Sequence, residues 1–298
     1  MRVFTAVAEL GSFTRAAAAL ELSRARASEA VSELERALGT QLLHRTTRRV
    51  GLSEQGRVYY ERARQILLDL DEAEALVVGP KAPLRGVVRV GMPMALARSY
   101  VLPALPRLLA RHAELVLEVR LENRSVQLLE DGLDCALSYG KPDDENLVAK
   151  LVMPTRLVTL ASPGYLAKWG TPRLPAELDQ HNCVSFLTPA TARPAAWVFM
   201  EAGVRVLRRP QGNVAFNSME ACVEAAVAGL GVTQVLSSLA ERVVREKKLR
   251  ALLSGFAAEG PGIFVVYSPV LGKSTRLRIV MEFLTESLRA ERVHALHD

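Results

Sequence analysis

Cysteine is scarce and scattered in this 298-residue chain: Cys135, Cys183 and Cys222 stand far apart, with no CxxC pair and no zinc-ligand spacing. That excludes a disulfide framework and predicts reduced, buried thiols in a cytoplasmic protein. No apolar run approaches the roughly 18 to 20 residues that span a bilayer. Glu9 and polar neighbours interrupt any leader pattern at the amino terminus, so we expect a soluble protein that stays in the cytoplasm. The five histidines, at 44, 112, 181, 294 and 297, form no HExxH pattern, and GxSxG is missing. Asp143-Asp144-Glu145 reads as a solvated acidic loop rather than a metal site, and Gly229-Leu230-Gly231 as a helix end rather than a phosphate loop. The expectation is no enzyme, no metal and no cofactor.

Lysine and aspartate are both missing from residues 1–68. Residues 1–68 hold 11 Arg against 7 Glu, a surplus of +4. The other 230 residues hold 27 Lys plus Arg against 25 Asp plus Glu, which completes the total of +6. Most of the excess sits where a polyanionic partner would meet it. The length allows two compact domains.

What is present in that first quarter is SFTRAAAALELSRARASEAVSELERALGTQLLHRTTRRVGLS, residues 12–53. It reads as two short helices at a tight turn, then an arginine-rich hairpin: a winged helix-turn-helix that sets one helix in the DNA major groove. The run Ala16 to Ala19 permits close helix approach. Ser23 is placed to cap a helix whose apolar positions are Ala27, Val31, Leu34 and Leu38, and Gly39 to end it. The other face carries Arg24, Ser28, Glu29 and Ser32, which can bond base edges or phosphates. Ser12, Thr14, Ser23 and Arg26 complete the candidate face, with Arg45, Thr46, Thr47, Arg48 and Arg49 in the wing. Glu29 can accept from cytosine N4 or pair with Arg26. Residues Met1 to Phe4 already fall inside a helix pattern, which predicts a first helix without an amino-terminal cap.

Ser53 is placed to cap a long helix to about Val78. Tyr59, Ala63, Ile66, Leu70, Ala73 and Val77 recur at spacings of 4 and 3, the seam of a coiled coil. The alternative is an amphipathic helix lying on its own domain. Gly79-Pro80 ends it, and residues 79–86 form a hinge.

SFTRAAAALELS followed by SEAVSELERALGTQLLHRTTRRVGLSEQG resembles the amino-terminal domain of LysR-type transcriptional regulators, over residues 3 to about 78. Where that family often has Ser-Gln-Pro, this chain has Ser23-Arg24-Ala25. The resemblance implies a sequence-specific regulator that binds double-stranded DNA through residues 1–52. It implies assembly as a homodimer or homotetramer through helix 53–78. A small-molecule effector modulates such proteins, and RNA polymerase is a further candidate partner.

From residue 86 apolar strands alternate with helices, which predicts α/β layers with largely parallel sheets. Strands are expected at 86–93, 115–122, 134–140, 156–162, 183–187, 197–200, 213–217 and 263–268. Helices are expected at 98–112, 218–229 and from Thr275 to about Glu291. This part is similar to the family's two-lobed effector domain, built like periplasmic solute-binding proteins. The expected lobes are 87–162 with 265–298, and 163–264. The resemblance places the effector between them, at strand ends and helix amino termini. Met94, Ala95, Arg98 and Ser99 would line one wall; Ser138, Tyr139, Ser162, Asn217 and Ser218 would line the others. Arg98 is either a partner for a carboxylate or a solvated surface residue, and the Met- and Ala-rich wall suits an apolar or aromatic body.

One competing reading remains at this point: a binding protein or enzyme on the same two-lobed fold, its first segment an oligomerisation arm.

Overall fold

The structure is a computed structural model that describes residues 1–45, 50–78, 84–122, 128, 131–188 and 191–290. The first unit opens with α1 (Arg2–Leu10), α2 (Phe13–Ala19) and α3 (Arg24–Leu38). The wing strands β1 (Leu43–Arg45) and β2 (Val50–Leu52) pair antiparallel, and α4 (Glu54–Val78) follows. As expected, α1 has no side-chain cap, Met1 standing at the cap position. Ser12 and Ser23 cap α2 and α3, accepting from the amides of Arg15 and Arg26. Gly39 ends α3 with φ 67°, a left-handed conformation that costs glycine nothing. The turn between α2 and α3 departs from that economy, because Glu21 holds φ 55° without being glycine.

Phe4, Val7, Ala16, Val31, Leu42, Leu43 and Tyr60 form the core of this unit. Of the apolar positions expected on α3, Ala27 and Val31 are fully buried and Leu34 packs on the core, whereas Leu38 is exposed at 44%. Leu38 is the last residue of α3 and stands outside that core. Ser53 does more than cap α4: its hydroxyl accepts from Gly56 N and donates to Gln41 O, 2.6 Å away. A Cβ on Gly56 would lie 1.9 Å from Leu42 O, so α4 meets the wing at a distance only glycine allows.

The seam expected along α4 divides in two. Ala63 is buried within this chain and Tyr59 packs edge-on against Phe4, ring centroids 5.4 Å apart. Ile66 and Leu70 are exposed at 51% and 43%, and Val58 joins them one turn before Arg62. The side chain of Val77, residues 79–83 and residues 291–298 lie outside the described residues.

The second unit has two sheets. The first contains β3 (Gly86–Met92), β4 (Leu115–Leu121), β5 (Cys135–Tyr139), β6 (Val148–Met153) and the late strand β14 (Ile263–Tyr267), in the order β4-β3-β5-β14-β6. Between β3 and β4 the chain forms α5 (Met94–Leu96), a π-helical turn at Ala97–Val101, and α6 (Leu102–Arg111). The second sheet contains β7 (Leu157–Ala161), β8 (Cys183–Phe186), β11 (Val214–Phe216), β12 (Val232–Leu236) and β13 (Arg250–Leu252). Helix α7 (Pro163–Trp169) follows β7, and a hairpin of β9 (Trp197–Glu201) and β10 (Val204–Arg208) is inserted after β8. Helices α8 (Met219–Val227) and α9 (Ser237–Arg245) flank β12, and α10 (Thr275–Ala290) returns to the first sheet.

Two expectations need correction. The sheets are mixed rather than largely parallel: β3 pairs in parallel with β4 and β5, and β8 with β11 and β12, but β14 runs antiparallel between β5 and β6, and β7 antiparallel between β12 and β13. The chain also leaves the first lobe earlier than residue 162, because β7 pairs with β12 and so belongs to the second lobe. The crossing is Pro154–Arg156. It lies beside the return crossing: Arg156 bridges Glu259, and Gly260 N donates to Thr155 O at 2.9 Å. Two adjacent strands of backbone thus join the lobes. Each lobe has its own apolar core, Val88 to Leu288 in the first and Leu160 to Leu249 in the second.

Candidate DNA interface and interlobe site

Helix α3 turns its buried side, Ala27 and Val31, into the first core. Arg24, at the first position of the helix, and Arg26 and Glu29 are exposed, with Ser28 and Ser32 half-buried; only Glu29 lies squarely opposite the buried stripe, since Arg24 falls 3 and 7 residues before Ala27 and Val31. Arg26 and Glu29 form no salt bridge with one another among the described residues, so the carboxylate is not neutralised by that neighbour. Ser12 and Ser23 sit at helix starts with their oxygens engaged as caps, and Thr14 is exposed on the first turn of α2. Thr46, Thr47, Arg48, Arg49 and the side chain of Arg45 lie outside the described residues. The backbone of Arg45 pairs with Val50 at the root of the wing.

One residue that holds this surface in place escaped the sequence pattern. Glu35 Oε1 accepts from Leu42 N at 2.8 Å and Leu43 N at 3.0 Å, tying α3 to the wing. A carboxylate on amphipathic helix spacing looks like any solvated charge, so nothing in the sequence marked it.

The strand registers fix which ends of the two sheets face the crossings. In the first lobe, Tyr139 at the end of β5 and Met153 at the end of β6 both pair with Ile263. Met92, at the end of the parallel strand β3, lies at the same edge. Met94, Ala95, Arg98, Ser99, Ser138 and Tyr139 therefore share the crossing end. Met94 and Arg98 are exposed, Ala95 is buried, and Ser99, Ser138 and Tyr139 are half-buried. Arg98 and Ser99 lie within the π-helical turn, a local widening that re-aims side chains and recurs at functional sites. Pro103 and Pro106 follow it and withhold two backbone donors.

In the second lobe, Leu236 pairs with Leu157 next to the crossing, and Phe216 ends β11 alongside Phe186. Asn217 and Ser218 share that edge. Ser162 does not. It follows the far end of antiparallel β7, caps α7 through Tyr165 N, and approaches Gly229. The direction of one strand removes it from the site.

Tyr100, Ser238 and Glu241, which the sequence did not single out, join Tyr139 in closing the cleft. Tyr100 Oη donates to Glu241 Oε2 at 2.8 Å, and Tyr139 Oη lies 3.3 Å from Ser238 Oγ. Both contacts run from the first lobe to α9 of the second. Burial pushes the Tyr139 phenol well above its ordinary range; the Ser238 bond works against this, and Glu220 and Glu241 add to it. Ser218 Oγ donates to Glu220 Oε2 at 2.8 Å while accepting from Ala221 N. The start of α8 thus already holds a carboxylate, which an anionic ligand would have to displace.

Residues 1–57 match the family of bacterial regulatory helix-turn-helix proteins, lysR family, and residues 81–289 match the LysR substrate binding domain. The chain belongs to the LysR family of transcriptional regulators. It is a regulator with a DNA-binding and an effector-binding part, not an enzyme, which disposes of the oligomerisation-arm reading. An uncharacterized HTH-type regulator of Escherichia coli, YhjC, is 33% identical over 95% of both chains. The regulator CrgA of Neisseria meningitidis is 31% identical over 97% of this chain and 96% of its own. The solved CrgA structure aligns with 96% of this chain and 97% of its own at a TM-score of 0.63. Full-length LysG of Corynebacterium glutamicum, solved with its effector Arg bound, shares the fold at a TM-score of 0.65 and 19% identity, over 97% of this chain and 96% of its own. No described helix of this LysR-type chain is long and apolar enough to cross a membrane.

Proposed function

We propose that α3 reads DNA and that the cleft residues bind a small effector which alters that reading. Arg24 and Ser28 contact base edges, and Glu29 accepts from cytosine N4. Ser12, Thr14, Ser23, Arg26 and Ser32 support them from the same face. Arg45, Thr46, Thr47, Arg48 and Arg49 of the wing hold phosphates or a narrow minor groove. The observation that carries this is the exposure pattern of α3: Ala27 and Val31 are fully buried, while its first turns present Arg24, Arg26 and Glu29 exposed. The chain acts in the cytoplasm as a homodimer or homotetramer held through the exposed half of the α4 seam, Ile66 and Leu70. RNA polymerase is its candidate partner at the promoter.

Met94, Ala95, Arg98, Ser99, Ser138, Tyr139, Asn217 and Ser218 form the effector site. Its wall of Met94, Tyr100 and Tyr139 suits an organic molecule with an apolar body, and Arg98 supplies a cation for a carboxylate at its exposed end. The effector held by LysG, on the same fold, supports a small molecule there. Duplex binding across a salt series tests the DNA reading: log affinity falls linearly with log salt, by about 0.9 per phosphate neutralised. Affinity that ignores salt contradicts it.

A further inference from the structure

Four charged side chains from four distant points of the sequence meet where the DNA-binding unit touches the first lobe. Arg64, midway along α4 and 8% exposed, bonds the carboxylate of Asp134, which is 6% exposed. Its Nε lies 3.5 Å from Glu9 Oε1, and its guanidinium sits over the Tyr60 ring, 5.6 Å from the centroid. Glu9, near the end of α1, also accepts from Tyr60 Oη at 3.2 Å. Its second oxygen lies 2.8 Å from Arg89 Nη1 of β3. Arg89 Nε in turn bonds Glu118 of β4 at 2.8 Å. Asp134 is held by backbone as well: Arg89 N donates to its Oδ2 at 2.7 Å, and its own N–H donates to Arg89 O at 2.8 Å.

Each carboxylate oxygen of Glu9 and Asp134 therefore has a directed partner, and the partners lie on both sides of the domain boundary. Buried ion pairs add little net stability, because desolvation offsets most of the attraction. Their contribution is geometric. An apolar contact tolerates sliding, whereas displacing this one strands a charge out of water. The strands that carry the joint also carry the cleft. Arg89 is three residues before Met92 on β3, and Asp134 immediately precedes β5, whose other end is Tyr139. At about 3.3 Å per residue, each strand spans from joint to cleft as one rigid rod.

We propose that Glu9, Arg64, Arg89 and Asp134 are positioning residues. They fix the DNA-binding unit against the first lobe, so that the effector domains set the spacing at which recognition helices meet DNA. The positional half of this is independent of the DNA reading, and the spacing half rests on it.

The test uses the full chain with spin labels at Ala37→Cys on α3 and Ala110→Cys on α6, both exposed, while the three native thiols are buried. Glu9→Gln and Arg89→Gln remove one charge each from groups that are only partly buried, and melting temperature confirms that each variant folds. With labelled chain diluted into excess unlabelled chain, so that only labels on the same chain are read, the expected result is one narrow interlabel distance in the parent and a broadened distribution in both variants. Duplexes with paired half-sites at different spacings supply the second readout, the half-site being one selected from random DNA. The preference for one spacing should fall by about fivefold or more, the low end of ordinary coupling between sites, while affinity for a single half-site holds. A narrow distance in both variants overturns the joint. A broadened distance with an unchanged spacing preference overturns its role in DNA recognition. Absence of any duplex binding by the parent chain fails the DNA reading itself and leaves the distance result standing.

Discussion

Tyr139 Oη lies 3.3 Å from Ser238 Oγ, joining the crossing end of β5 in one lobe to the start of α9 in the other. With Tyr100 on Glu241 it holds the cleft in the arrangement described here. A ligand shifts such an equilibrium only by its difference in affinity for the open and closed forms. Tyr139→Phe should therefore loosen closure by about 0.5–1.5 kcal/mol, the net contribution of one hydrogen bond. Small-angle scattering of the effector-free chain should show a larger mean radius of gyration. An unchanged profile would assign closure to Tyr100 and the crossings alone.

Glu35 joins α3 to the wing through two backbone amides. Glu35→Ala leaves both donors near the buried Leu42 and Leu43 without an acceptor, at about 1–3 kcal/mol. The melting temperature of the DNA-binding unit should drop accordingly, with weaker binding to every duplex alike. Loss of base preference at unchanged stability would instead put Glu35 on the DNA.

Burial pushes all three thiols up: Cys222 to about 11, Cys183 to about 12, and Cys135 further. An unfolded thiol ionises near 9.0 while the folded ones keep their protons. Stability should therefore be full below pH 9 and fall as pH rises from there through about 11. At pH 8 the native chain should react slowly with a thiol reagent and quickly once unfolded. Fast native labelling of Cys222 would show that its pocket opens.

Leu70 is exposed in the single chain, whereas Ala63 on the same seam is already buried within it. Leu70→Asp should place a carboxylate in the dimer contact and shift sedimentation toward monomer. Ala63→Asp should instead unfold the first unit. A stable dimer in Leu70→Asp would move assembly to the effector domains.

The first unit was legible because its signals are local. Ser23, Ser53 and Gly39 mark helix ends within a residue of where they form, and the period of Ala27 and Val31 marks the buried face. The effector domain was legible as alternating strands but not as a topology. VTQVL of β12 is buried at every position and so carries no alternation. The direction of β7 depends on a crossing that leaves no local trace, and Ser162 was placed on the wrong side for that reason. The joint of Glu9, Arg64, Arg89 and Asp134 was invisible for a related reason: ion pairs between residues up to 80 positions apart have no period. Glu9 read only as a polar interruption in an apolar helix.

The central claim is that α3 reads base sequence while the wing holds backbone. It is tested most directly by comparing Arg24→Ala with the parent on a selected duplex and on a scrambled one, across a salt series. Arg24→Ala should lose about 1–3 kcal/mol on the selected duplex and little on the scrambled one, so that discrimination collapses. Equal loss on both duplexes, with discrimination intact, would contradict the assignment of α3 as the reading helix.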